Sequence, residues 1–340
     1  MHRATRRVIS LGIAALIVGA GLLMTRCSVL MPGDSYKGPL PLLEPGQASD
    51  AEQMRHDVGV LAEEIGERNV QHPRQLAAAE DFLAASLAKA GYRVEWQTLE
   101  VDGVACSNLI AELRGAERDW EIVVVGAHYD SAPGCPAADD NASGCAGTLA
   151  LARAFAGKAQ ERTVRFVLFV NEEPPYFWTD NMGSLVYARS CKQRGEEIVG
   201  MLSLETIGCY SDKSGSQSYP PPMSLAYPST GNFIGFVGMA ESEGFVKECV
   251  GAFRASAPFP SEGAALTALV PRVGASDHWS FWKQGYPAAM VTDTAPYRNR
   301  NYHKPTDTAD TLDYERMARV VTGLEGVVRT LANPGVVSGK

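Results

Sequence analysis

The stretch EIVVVGAHY, residues 121–129, passes from one acid through an unbroken apolar run to a histidine. A strand with one face in water alternates apolar and polar side chains, whereas an unbroken run reads as a strand buried on both faces. TVRFVLFV (163–170) repeats the pattern, and MLSLETIG (201–208) is strand-like again. Between them SGCAGTLALARAFAG (143–157) and GSLVYARSC (183–191) read as helices. Strand, helix, strand, helix, strand implies a parallel sheet with helices on both faces.

The same reading extends outward. FIGFVG (233–238), a helix near Glu241–Phe253, a helix near Asp277–Gln284, PAAMVTD (287–293) and a final helix over about Leu312–Leu331 continue the pattern. Upstream, YRVEWQTLEV (92–101) alternates like a strand and CSNLIAEL (106–113) like its neighbour. RQLAAAEDFLAASLAKAG reads as a helix stopped by Gly91, and Ser49 with Glu52 makes a capping box before a helix to about Arg68. The expected fold class is α/β: a mixed, mostly parallel central sheet with helices on both faces, preceded by one N-terminal hydrophobic helix. The loop 211–232 is long for a compact domain, and such loops often build pockets.

The N-terminal helix belongs to a separate segment. MHRATRR carries three arginines, and Val8–Met24 then runs seventeen residues without a charge. As a helix that run is roughly 25 Å long, enough to cross a bilayer. No small-residue cleavage site follows it, so it reads as a signal anchor rather than a cleaved leader. The arginines keep the N-terminus cytoplasmic and place the rest of the chain outside, in the periplasm or the extracellular space. The expected organisation is an anchor over residues 1–30, a linker over 31–48 with four prolines and three glycines, and a catalytic domain over 49–335. Without the four N-terminal arginines the chain holds 27 basic against 39 acidic residues, near −12, which argues against nucleic acid as a partner. Of the cysteines, Cys135 and Cys145 flank a loop that a disulfide would close. The oligomeric state is open.

Ligands of an open α/β sheet bind beyond the carboxyl ends of its strands. There the sequence places His128 and Asp130, then Glu172 and Glu173 in FVNEEPPYF (169–177), Glu205 in MLSLETIG, Asp139 and Asp140 in PAADDNASG, and His303 in NYHKPTD. Each alone has an ordinary structural explanation, but acids and imidazoles at five positions along one sheet edge do not. Buried carboxylates cost several kcal/mol each unless paired or bound to metal. Divalent cations offset such a cluster, and histidine with carboxylates suits zinc. One metal uses about three of these groups. Two metals bridged by one carboxylate use all five. Adjacent residues 172 and 173 point to opposite sides, so one glutamate can ligate while the other faces the bound water.

GAHYDS, ADDNASG, NEE, ETIG, SDHWSFW and YHKPTDTADTLD, in that order, resemble the co-catalytic dizinc aminopeptidases, a group that includes the bacterial leucyl aminopeptidases and the glutamate carboxypeptidases. The resemblance covers about residues 50–335. It implies that His128 and Glu205 bind one zinc, that Glu173 and His303 bind the other, and that Asp140 bridges them. It implies Glu172 as general base and Asp130 as the acid that orients His128. Two departures stand out. Position 205 is often aspartate in the family, and the family's EExGLxGS is here the longer EEPPYFWTDNMGS, whose Tyr176, Phe177 and Trp178 either line a pocket or cover the core. His278 matches a family motif but no ligand position. The expectation is a zinc exopeptidase acting on peptides, most simply an aminopeptidase. Its rivals are a carboxypeptidase or single-zinc glutaminyl cyclase on the same scaffold, and a binding ectodomain without catalysis.

Overall fold

The computed structural model describes residues 29–221 and 223–335. The hydrophobic segment Val8–Met24 lies outside the described residues; among those described, no helix is long and apolar enough to cross a membrane.

Eight strands form one sheet: β1 (Val94–Val101), β2 (Val104–Leu113), β3 (Arg118–His128), β4 (Arg162–Phe169), β5 (Glu197–Glu205), β6 (Ile234–Met239), β7 (Ser261–Leu266) and β8 (Ala288–Thr292). Their order is β1-β2-β4-β3-β5-β8-β6-β7. The central β4-β3-β5-β8 are parallel. An antiparallel β1–β2 hairpin flanks β4, and β6 runs antiparallel to β8 while β7 runs parallel to β6. The mixed, mostly parallel sheet is the one expected.

The apolar runs alternate between two cores. Val123, Val125 and Ala127 of β3 join the large core, with Val164, Phe166 and Leu168 of β4. Ile122 and Val124, with Val167 and Phe169, face the smaller core on the other side. The large core is closed by helices Pro45–Gly59, Gly144–Phe155, Glu243–Ser256 and Tyr314–Ala332, and the smaller by Gly183–Gln193 and His278–Lys283. From β3 the chain passes to β4 on one side and then to β5 on the other. The C-terminal end of β3 is therefore the topological switch point, where such sheets open a crevice.

Several boundaries differ from the sequence reading. The first helix starts at Pro45, not Ser49, because Glu44 and Gln47 form the capping box, and it gives way to a π-helical turn at Val60–Ile65. The stretch after Met31 packs on the body: Arg254 donates to the Pro32 and Gly33 carbonyls, and the Ser261 amide donates to Ser35 Oγ, beside the outer edge of β7. SEGAAL, the strand β7 itself, is too short and too poor in β-branched residues to be read from sequence. All six described cysteines are free thiols. Cys135 donates to the Lys304 carbonyl and Cys145 to the His128 carbonyl, so the expected loop-closing disulfide is absent.

Gly126, two residues before His128, sits where β3 has no room for a side chain. A Cβ there would lie 2.5 Å from the Phe169 ring and 2.6 Å from the Val167 carbonyl oxygen. The carbonyl belongs to the paired strand and cannot swing away. Gly126→Ala is expected to cost about 1–3 kcal/mol as overpacking. Urea unfolding of the two forms should show a lower midpoint at unchanged slope; an unchanged midpoint refutes it.

Candidate metal centre

The ends of β3, β4 and β5 deliver the expected residues to one point. His128 is the last residue of β3, Glu205 the last of β5, and Glu172 and Glu173 follow β4. Asp140 arrives on the turn Ala138–Ser143, and His303 on the loop after β8. All but His303 are buried.

Asp140 lies between the two histidines. Its Oδ1 is 3.4 Å from His128 Nε2, and its Oδ2 is 2.9 Å from His303 Nε2. Glu205 Oε2 is 3.3 Å from His128 Nε2, and Glu173 Oε1 is 3.2 Å from His303 Nε2. Two ligand-sized groups result, His128–Asp140–Glu205 and Asp140–Glu173–His303, and Asp140 belongs to both. Glu172 joins neither; its Oε2 is 3.8 Å from His128 Nε2, beside the first group.

The adjacent pair at 172 and 173 is held by Asp130. The Glu172 amide donates to Asp130 Oδ1 and the Glu173 amide to Oδ2, each at 3.0 Å. Asp130 Oδ1 also lies 3.5 Å from His128 Nδ1. One carboxylate thus sets the turn after β4 and faces the ring at the end of β3.

The electrostatics call for cations. Burial, then the charge of Asp140, pushes Glu173 up to about 7. Burial pushes Glu172 and Glu205 up as well, against the pull of His128. Burial also raises Asp140, but the adjoining imidazoles outweigh it and hold that carboxyl well below the usual range. Burial opposes protonation of His303, yet Asp140 and Glu173 pull its pKa up to about 10. A proton on that ring takes the place that a metal ion fills in a metallated site. Both nitrogens of His128 are buried without a well-aligned hydrogen-bond partner, and Asp140 Oδ2 and Glu173 Oε1 face only the His303 ring. Imidazole and carboxylate atoms converging at these spacings fit zinc.

The model of peptidase family M28 matches residues 108–327, which contain every one of these groups. The chain belongs to peptidase family M28. Among curated relatives of this M28 chain, YfbL of Escherichia coli K12 is 36% identical over 83% of this chain and 88% of its own length. Leucine aminopeptidase 1 of Arthroderma otae is 28% identical over 66% of this chain and 58% of its own length. Solved structures share the fold. The zinc aminopeptidase BSAP of Bacillus subtilis has a TM-score of 0.66 at 15% identity, covering 85% of this chain and 96% of its own. A glutaminyl cyclase of Bacteroides thetaiotaomicron has a TM-score of 0.64 at 16% identity, covering 86% and 99%.

Around the centre, the M28 chain contributes supporting residues outside the expected ligand set. Arg68, fully buried, donates to the carbonyls of Leu61, Gly66, Tyr129, Pro136 and Ala137, and so fastens the loop that carries Asp130 toward Asp140. Asp307 accepts from the Asp139 and Asp140 amides, and Asn141 bridges Gly144, Leu204 and Thr206. Ser276 donates to Glu205 Oε2 at 2.8 Å. Asp307 lies within YHKPTD and Asn141 within ADDNASG, so their motifs flagged them; Arg68 had no signal. A further acidic group, Asp139–Cys209–Asp293, is tied up locally: Asp139 accepts from Gly208 and Asn299, and Asp293 from the Cys209 amide.

A cavity open to solvent lies beside Glu205 and Tyr302. Tyr219, Met223 and Tyr227 of the long loop line it, with Phe236, Val273 and Met290. The long loop therefore builds a pocket wall, as expected. Phe177 and Trp178 do not line this cavity. They stack on each other at 4.7 Å, Trp178 leans on Trp279 at 5.6 Å, and its indole donates to the Gly274 carbonyl. Tyr176 packs on the large core.

His278 is buried among these elements, at 2.8 Å from the Val273 carbonyl, which takes the ring's Nε2 proton. Its Nδ1 has no partner, and burial holds its pKa down at about 4. Its role is structural. An unfolded histidine titrates near 6.5, so below that pH the unfolded chain takes up a proton that the native chain refuses. Stability is lost as pH falls from about 6.5 to about 4, by up to about 1.4 kcal/mol per pH unit for this ring. His278→Asn should flatten the unfolding free energy against pH by up to one proton in that window. Parallel curves for the two forms refute it.

Proposed function

We propose that this chain is a dizinc exopeptidase, an aminopeptidase that hydrolyses the N-terminal residue from peptides. The observation that carries the reading is Asp140, whose two oxygens each face a different histidine–glutamate pair. His128, Glu205 and Asp140 would hold one ion, and Asp140, Glu173 and His303 the other. When bound, such a pair polarises the scissile carbonyl and lowers the pKa of water at the site.

The residues do the rest. Glu172, outside both ligand groups but beside the first, accepts the water's proton at its carboxylate as the C–O bond forms. It returns that proton to the peptide nitrogen as the C–N bond breaks. Asp130 holds the Glu172 and Glu173 backbone so that one side chain serves as base and its neighbour as ligand. The apolar cavity beside Glu205 accepts the side chain of the N-terminal residue, and the acids around it favour a free ammonium group. The M28 membership and the relative named leucine aminopeptidase support this choice. The resemblance sets a single-zinc glutaminyl cyclase against this reading, so metal content separates the two.

Glu172→Gln and Glu173→Gln should fail differently. Glu172→Gln should keep two metal ions and its melting temperature while losing about 10²–10⁴-fold in kcat. Glu173→Gln should lose metal at one site and melt lower, because bound metal stabilises the native state by mass action. Excess zinc should restore Glu173→Gln in part and leave Glu172→Gln inert. Metal analysis, thermal melts and turnover with and without added zinc test this; zinc rescue of Glu172→Gln reverses the two roles.

Localisation follows from the first thirty residues. Val8–Met24 with the arginines before it supports a retained anchor and an extracytoplasmic catalytic domain. Protease added from the outer side of cells making the full chain should shave the domain, with the N-terminal segment left in the membrane fraction. A soluble form beginning after residue 20 rules the anchor out.

A further inference from the structure

Besides Glu205, the cavity beside the metal centre has two charged lining residues, Glu262 and Arg272. Glu262 has basic neighbours. Burial raises its pKa, and the charges of Arg254 and Lys37 pull it back. Arg272 has no such partner: among the described residues no carboxylate pairs with it. Its guanidinium carbon lies 5.7 Å from the centroid of the Tyr302 ring. That ring in turn stacks on His303, with centroids 4.0 Å apart and planes 14° from parallel. Guanidinium, phenol and imidazole form a pile that leads from the exposed mouth of the cavity to the metal centre.

The backbone aims Arg272 there. Its φ is +65°, in the left-handed region. A side chain in that region costs about 1–2 kcal/mol, so it persists where the surroundings hold it. They do so here just after it in the chain. His278 binds the carbonyl of Val273, and the Trp178 indole binds that of Gly274. The turn itself is closed by the Ala275 amide on the Arg272 carbonyl.

The charges around the centre give this placement a purpose. The centre's own side chains, Asp140, Glu172, Glu173 and Glu205 with His128 and His303, include no guanidinium or ammonium that could hold a substrate carboxylate close to the scissile bond. An unpaired guanidinium offers such a carboxylate two parallel N–H donors, a geometry and strength that a lysine does not match. An extended peptide advances about 3.3–3.6 Å per residue, so a carboxylate one or two residues from the bond being cut lies roughly 4–7 Å along the chain.

We propose that Arg272 recognises a substrate carboxylate, and that the preferred substrates are short peptides carrying one close to the scissile bond, either the C-terminal carboxylate of a dipeptide or an acidic side chain. The proposal rests on the peptidase reading, and its test separates the two. The full chain in detergent, loaded with zinc, is assayed on leucyl-leucine, leucyl-leucinamide and glutamyl-leucinamide. The same three peptides are titrated by calorimetry into the Glu172→Gln chain, with and without Arg272→Gln. Within one pair, acid against neutral, the carboxylate should raise both kcat/KM and affinity by about tenfold, or 1.4 kcal/mol. The pair that responds identifies the source. The ratio should fall to near one in Arg272→Gln and recover in part in Arg272→Lys, which keeps the charge without the fork. Ratios near one in the unsubstituted chain, or a preference that survives Arg272→Gln, overturn the proposal. A zinc-loaded chain that cleaves none of the three overturns the peptidase reading instead, and the calorimetric ratios still decide Arg272.

Discussion

Five carboxylates, Asp130, Asp140, Glu172, Glu173 and Glu205, are buried together at one edge of the sheet. Each is costly to bury as an anion unless other charge or hydrogen bonding offsets it. The local chain is arranged around that debt. Backbone amides answer Asp130, the two imidazoles answer Asp140, and Ser276 answers Glu205. Glu172 and Glu173 are left short of positive charge, with pKa values driven upward. Divalent cations at the two ligand groups, as proposed, would complete the balance and tie the chemistry of the site to its stability.

The same crowding explains how firmly the surrounding loops are braced. A bridging carboxylate works only if both oxygens are held at once toward different partners. Asp307 holds the turn that carries Asp140, Asn141 ties that turn to the end of β5, and Arg68 holds the stretch behind it through backbone carbonyls alone. Donors already in place need no reorganisation when charge develops, which is the physical content of a preorganised site.

The cavity is built differently. Its walls come from the long loop after β5, from β6 and β7, and from the turn that carries Arg272. These segments have little periodic pattern and contribute none of the candidate metal ligands. An M28 scaffold can therefore keep its metal chemistry while its loops redefine what enters, as expected where function is grafted on a stable fold. The aromatic insertion after Glu173 belongs to this outer layer: it braces the Arg272 turn through Gly274 rather than lining the cavity.

The apolar runs of β3, β4 and β5 were legible in the sequence because burial on both faces leaves no polar alternation. The residues that close those strands were legible because chemistry concentrates at their carboxyl ends. That reading extended to His128, Asp140, Glu172, Glu173, Glu205 and His303 as one set, and to the long loop as a pocket wall. Only the tertiary structure decided the strand order, the short strand β7, the true start of the first helix and the free state of Cys135 and Cys145. Only it brought Arg68 to the loop that it fastens, and placed Arg272 on Tyr302 with Tyr302 on His303. The physical reason is range. Periodicity and strand ends are local properties, written within a few residues. Arg68 works through carbonyls up to 69 positions away, and Arg272 through a ring thirty positions on, and such contacts leave no mark on the residues between.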